Sequence, residues 1–110
     1  MPSYHTPLHV VFYYEQDRWI AHCLQFDLIG DGDTRAEAME NLAEAIRLQV
    51  EATLESRNFA NLFSPAEGRI FDMFARGRNV AAGEFNLDVD GIDIEEVLTR
   101  ECSDPTAVPA

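Results

Sequence analysis

The chain contains no lysine; all eight of its basic residues are arginine. That excludes Schiff-base and lysine-nucleophile chemistry. Cysteine is scarce, with only Cys23 and Cys102, far apart and without CxxC spacing. Both are expected to be free thiols of a reducing compartment, with one disulfide between them as the alternative. No apolar run approaches the ~20 residues of a membrane span. The first residues lack a basic segment followed by an apolar one, so no signal peptide is expected and the expected compartment is the cytoplasm. P-loop, GxSxG, HExxH and dinucleotide fingerprints are missing too. Basic charge is also short, and the net charge is −12. Residues 84–104 hold eight acids against Arg100 alone. Such a surface serves solubility or steers a basic partner, and it repels phosphate backbones, so nucleic acid is not an expected partner.

What the sequence does contain is one strong amphipathic helix. Thr34-Arg35-Ala36-Glu37 has capping-box spacing. Behind it, Ala38, Met39, Leu42, Ala45, Ile46, Gln49, Val50 and Thr53 recur at steps of three and four, with Glu37, Glu40, Glu44, Glu51 and Glu55 mostly opposite. This spacing predicts a helix over 34–55. Upstream, 8–14 and 18–24 are β-rich and flank Glu15-Gln16-Asp17, which predicts an antiparallel hairpin. A short third strand follows over 26–33, where Gly30 and Gly32 mark close backbone approach or positive φ. The hairpin is apolar on both faces. One face is expected under the long helix, the other under later chain or a second protomer.

Farther on, Ser64-Pro65-Ala66-Glu67 has the grammar of a helix start and predicts a short helix ending near Arg76. Residues 85–89 alternate as a fourth strand, and Asp93 is placed to cap a last short helix to Thr99. The expected fold class is α+β: a three-stranded antiparallel sheet, a long helix, a later strand and an extra short helix. One domain is expected over 1–100, with its core at 8–55, a helical extension at 56–83 and an acidic strand and helix at 84–100. Residues 101–110 read as a disordered tail.

No catalytic constellation stands out. Asp27, Asp31 and Asp33 near His22 lack the spacing of an EF-hand loop and read as turn residues. His22 and Cys23 are strand neighbours on opposite faces, so they cannot act as base and nucleophile together. Neither a metal nor a cofactor is expected. Two functional classes remain. One is a non-catalytic interaction domain that docks a partner through Trp19, Asp27, Asp31 and Asp33. The other is a small-ligand domain or enzyme using an aromatic pocket near Trp19, Phe63 and Phe71, with Tyr13 and Phe59 beside it. Self-association to a homodimer or tetramer is expected through Tyr13, Phe63, Phe71 and Phe74.

Taken in order, Trp19-Ile20-Ala21-His22-Cys23, Gly30, Gly32-Asp33-Thr34, Glu37-Ala38, Asn41-Leu42 and Glu44-Ala45-Ile46 resemble the HicB family of antitoxins and its stand-alone relatives. The resemblance covers about residues 8–55. It implies a βββαβ domain with a partial RNase H-like fold that binds and blocks small basic HicA-like mRNA-cleaving toxins and self-associates. The chain departs from the family pattern where Leu24 stands in place of the usual proline after the cysteine. Residues 56–110 show no DNA-binding module, so operator binding is not implied. RNase H-type catalysis is not implied either, because the first two strands supply only Glu15 and Asp17, both in the turn.

Overall fold

A computed structural model describes residues 4–57, 64–81 and 92–102. Among these, the order is β1 (Tyr4–Glu15), β2 (Arg18–Cys23), β3 (Leu28–Gly32), α1 (Arg35–Ser56), α2 (Gly68–Arg76), β4 (Arg78–Asn79) and β5 (Ile92–Glu101). The fold class is α+β. The antiparallel β1–β2–β3 unit is present, but within a larger mixed sheet of order β3-β2-β1-β5-β4. β5 runs parallel to β1.

β1 is central, and its alternation builds two cores. Leu8, Val10 and Phe12 face α1, and there they meet Ala21 and Cys23 of β2 and Met39, Leu42, Ile46 and Val50 of the helix. Val11 and Tyr13 face the other way, under Ile70, Met73 and Phe74 of α2. The second apolar face is therefore covered by later chain. Pro7 lacks an N–H and would interrupt a central strand, and the register of β5 shifts at Thr6/Pro7 to accommodate it.

At the start of α1, Thr34 is the N-cap and its Oγ1 accepts from the Glu37 N–H at 3.1 Å. The return bond reaches one residue further back than a capping box requires: Asp33 N–H donates to Glu37 Oε1 at 3.4 Å. The buried stripe matches the predicted one except that Ala43 is buried, whereas Ala45 and Gln49 are only partly so. β3 lies against this helix through its glycines. A Cβ at Gly30 would sit 2.2 Å from Leu42 N, and one at Gly32 would sit 2.7 Å from Ala38 N.

Three sequence expectations are corrected. Residues 64–67 do not start a helix: Ala66 N–H donates to Leu24 O at 3.0 Å, which holds this stretch extended against the sheet, and α2 begins at Gly68 without a side-chain cap. The helix expected from Asp93 to Thr99 is instead β5, because pairing along β1 overrides a weak local cap signal. Glu101 and Cys102, assigned to the tail, are both buried. Cys23 lies in the α1-side core and Cys102 in the α2-side core, so the sheet separates the two free thiols. The predicted strand at 85–89 and the remaining tail, 103–110, fall outside the described residues.

Candidate functional site

The two cores differ in extent. α1 spans 22 residues and packs on β2 and β3, whereas α2 has nine and packs mainly on β1. Among the described residues, the α2 side of β2 and β3 is therefore only partly covered. Gly30 and Gly32 point toward α1, so Ile29 and Asp31 point to this other face. On β2 the same face carries Arg18, Ile20 and His22, by alternation and by cross-strand register. Ile29 is 52 % exposed, and Ile20 is half-buried beside it.

The acids predicted from sequence surround this apolar floor. Arg18 Nε donates to Asp31 Oδ2 at 3.1 Å, and Arg18 Nη1 donates to Asp33 Oδ1 at 2.9 Å. The Asp31 hydrogen bond pushes the Arg18 pKa up. At the other end of β3, Asp27 has φ 51°, a left-handed value unusual outside glycine, in the turn that leads into the strand. Its Oδ1 lies 2.8 Å from His22 Nε2, and His22 Nδ1 lies 3.1 Å from the Tyr13 hydroxyl. With the proton on Nε2, the imidazole donates to Asp27 and accepts from Tyr13. Burial and the Glu15 charge push the Tyr13 pKa up. The Tyr13–His22–Asp27 chain fixes the histidine ring between the core and the open face.

Asp27, Asp31 and Asp33 thus share one side of the hairpin, although Asp27 is far from the other two. Trp19 does not join them. It packs on the α1-side core, edge-on to Tyr14 with centroids 5.4 Å apart and with the Arg35 guanidinium over its ring. Trp19 and Phe71 lie on opposite sides of the sheet, so they line no common pocket, and Phe63 and Phe59 fall outside the described residues. A concavity lined by Glu51, Leu54 and Glu55, at the far end of α1, includes none of these aromatics. Of the expected oligomer contacts, Tyr13 of β1 and Phe74 of α2 are buried in the core between them, while Phe71 is 43 % exposed. Phe74 is itself held by His9, stacked at 5.1 Å, and by the Arg100 guanidinium, 4.5 Å from its ring centroid.

Sequence reasoning did not pick out Ile20, Ile29 or Arg18. The available signal was the pairing of an arginine on β2 with two acids beside β3, visible only once the hairpin register is known. Among the described residues, no three His, Cys, Asp or Glu side chains converge as metal ligands would, and no helix is long and apolar enough to cross a membrane. The chain matches no family model, no curated protein and no solved structure.

Proposed function

We propose that the protein is a non-catalytic interaction module that receives a basic partner on the α2 side of β2 and β3. The observation that carries this reading is the half-exposed Ile29 on a sheet face that the described residues cover incompletely, flanked by Asp27, Asp31 and Asp33. An apolar centre with a charged rim is the anatomy of a docking surface. The rim acids are partly exposed, so they steer a partner more than they hold it. The HicB resemblance supports the same class. The run β1–β2–β3–α1–β5 is compatible with a βββαβ, partial RNase H-like layout, with α2 and β4 inserted before the last strand. By that resemblance the partner is a small basic HicA-like toxin.

The test is titration calorimetry with a small basic protein encoded beside this chain. Saturable binding is expected, weakened by Ile29→Asp and by the combined Asp27→Asn, Asp31→Asn and Asp33→Asn variant, and weaker at high salt. No binding, or binding indifferent to both variants, refutes the reading. A second copy is the competing occupant. Light scattering at micromolar concentration that gives a stable dimer broken by Ile29→Asp would assign the face to self-association, whereas a mass near 12.4 kDa leaves it free for another protein.

A further inference from the structure

A second charged cluster lies on the α1 side of the sheet, away from the docking face. Glu101, the last residue of β5, is only 9 % exposed. Two arginines hold it. Arg35 Nη1 donates to Oε1 at 3.1 Å, while Arg78 Nε and Nη2 donate to Oε2 at 3.0 and 2.6 Å. A buried carboxylate needs a partner, but one guanidinium neutralises it. The second leaves an excess positive charge, in a chain of net charge −12. The Arg78 side chain is 73 % exposed, so its guanidinium is open to solvent on the side away from Glu101.

The unused donors are numerous. A guanidinium has five N–H groups, and Arg35 commits one nitrogen and Arg78 two to Glu101. No other carboxylate is ion-paired to either arginine among the described residues. The Arg35 guanidinium is steadied further, 5.7 Å above the Trp19 ring. The location also favours a ligand. Glu101 ends β5 and stands beside Phe12, three residues before the end of its parallel neighbour β1. Arg35 opens α1, so the positive end of the helix dipole adds to the field.

We infer that Arg35 and Arg78, both held on Glu101, bind phosphate, either as the free ion or as a phosphate monoester. A flat carboxylate has two oxygens to offer two forks. A tetrahedral phosphate offers at least three, and the one positive charge left over after Glu101 favours an anion. Half-exposed Tyr14, packed against Trp19, supplies an aromatic surface on the same side for the organic part of a monoester.

Calorimetric titration at low ionic strength, with inorganic phosphate and with a nucleoside 5′-monophosphate as separate probes, decides the matter. One site per chain is expected. Equal affinity for the two probes identifies the free ion as sufficient, and tighter binding of the monophosphate identifies an organic phosphate. Arg35→Gln or Arg78→Gln should weaken binding by about tenfold or more, the loss of one charge-assisted hydrogen bond. Arg57→Gln, at the far end of α1, should leave it unchanged. Because either site variant leaves Glu101 short of a partner, Glu101→Gln is the second test. It removes the buried negative charge, keeps both arginines, and should bind phosphate at least as tightly as the parent chain. Absence of saturable binding to the unmodified protein overturns the inference. So does an Arg57→Gln effect as large as that of Arg35→Gln.

Discussion

Replacing Gly30 by alanine adds one methyl group at the tightest contact between strand and helix. The new Cβ would lie 2.2 Å from Leu42 N, 2.4 Å from Ala38 O and 2.7 Å from Asn41 C. All three are backbone atoms, so no rotamer change relieves the clash. Ordinary contact begins near 3.4 Å, so α1 must retreat from β3 by about 1.2 Å, the difference between 3.4 and 2.2 Å. A gap of 0.5–1 Å already forfeits roughly a quarter to a half of each dispersion contact. Leu42 and Ala38, both fully buried, would lose packing with it. Overpacking commonly costs about 1–3 kcal/mol, and a clash with rigid backbone belongs at or above the top of that range. A loss of about 3 kcal/mol corresponds to a fall in Tm of at least roughly 12 °C for a domain of about this size. Urea unfolding followed by circular dichroism measures it, with Gly68→Ala as the paired control. Nothing lies within 4 Å of a Cβ at Gly68, and alanine in a helix is favoured over glycine by up to about 1 kcal/mol. The two substitutions should therefore move the midpoint in opposite directions. A Gly30→Ala protein within about 0.5 kcal/mol of the parent, the range of neutral surface changes, would show that β3 does not depend on this close approach.

Two further perturbations test the cores. Leu42→Asp and Ile46→Asp each bury an unpaired carboxylate at a fully buried site of α1 and should unfold the chain; an unchanged thermal melt in either would mean the buried stripe is misplaced. Burial pushes the Cys23 thiol from 9.0 up to about 11. Between those values the unfolded chain has lost the thiol proton and the folded chain retains it, so stability falls as pH rises from about 9 to about 11, by roughly 3 kcal/mol at most through this group. Urea titrations at pH 8 and pH 10.5 should show the loss in the parent and a smaller one in Cys23→Ala; an identical loss in both would remove Cys23 as its source.

The parts legible in the sequence are those where local chemistry and tertiary structure agree. Thr34 caps α1 as its spacing implies, and the three-and-four rhythm from Ala38 to Thr53 selects the buried side. The two-faced apolar pattern of β1 correctly called for cover on both sides. The β1–β2 turn was harder to place. Gln16 and Asp17 both have positive φ, 53° and 62°, as a two-residue hairpin turn requires, yet neither is the glycine or asparagine that advertises such a turn. The register Glu15↔Arg18 was therefore hidden, and with it the face on which Arg18 meets Asp31 and Asp33. β5 was hidden for another reason. Asp93, Glu95 and Glu96 make it look like a capped acidic helix, and only the unsatisfied edge of β1 draws it into the sheet. The buried role of Glu101 depends on Arg35, 66 residues away in sequence, and no local window contains both.

The position of the candidate docking face follows from the lengths of the two helices. At about 1.5 Å per residue, 22 residues give α1 roughly 33 Å and nine give α2 roughly 14 Å. Five strands spaced about 4.8 Å apart make a face some 19 Å between its outer strands, and a 12-residue β1 runs about 40 Å along it. α1 is long enough to lie across β2 and β3 and seal their side of the first core. α2 is not. It must choose, and its buried Ile70, Met73 and Phe74 choose Val11 and Tyr13 of β1. Ile20 packs at the edge of that core, and among the described residues what remains beyond the reach of α2 is Ile29 and the acids around it. A chain under pressure only for stability would lengthen α2 or make Ile29 polar, since either change removes exposed apolar surface at no cost to the core. In the proposed function, that apolar edge ringed by aspartates is the surface a basic partner would complete. On the same logic, extending α2 toward β3 should raise stability and abolish partner binding together.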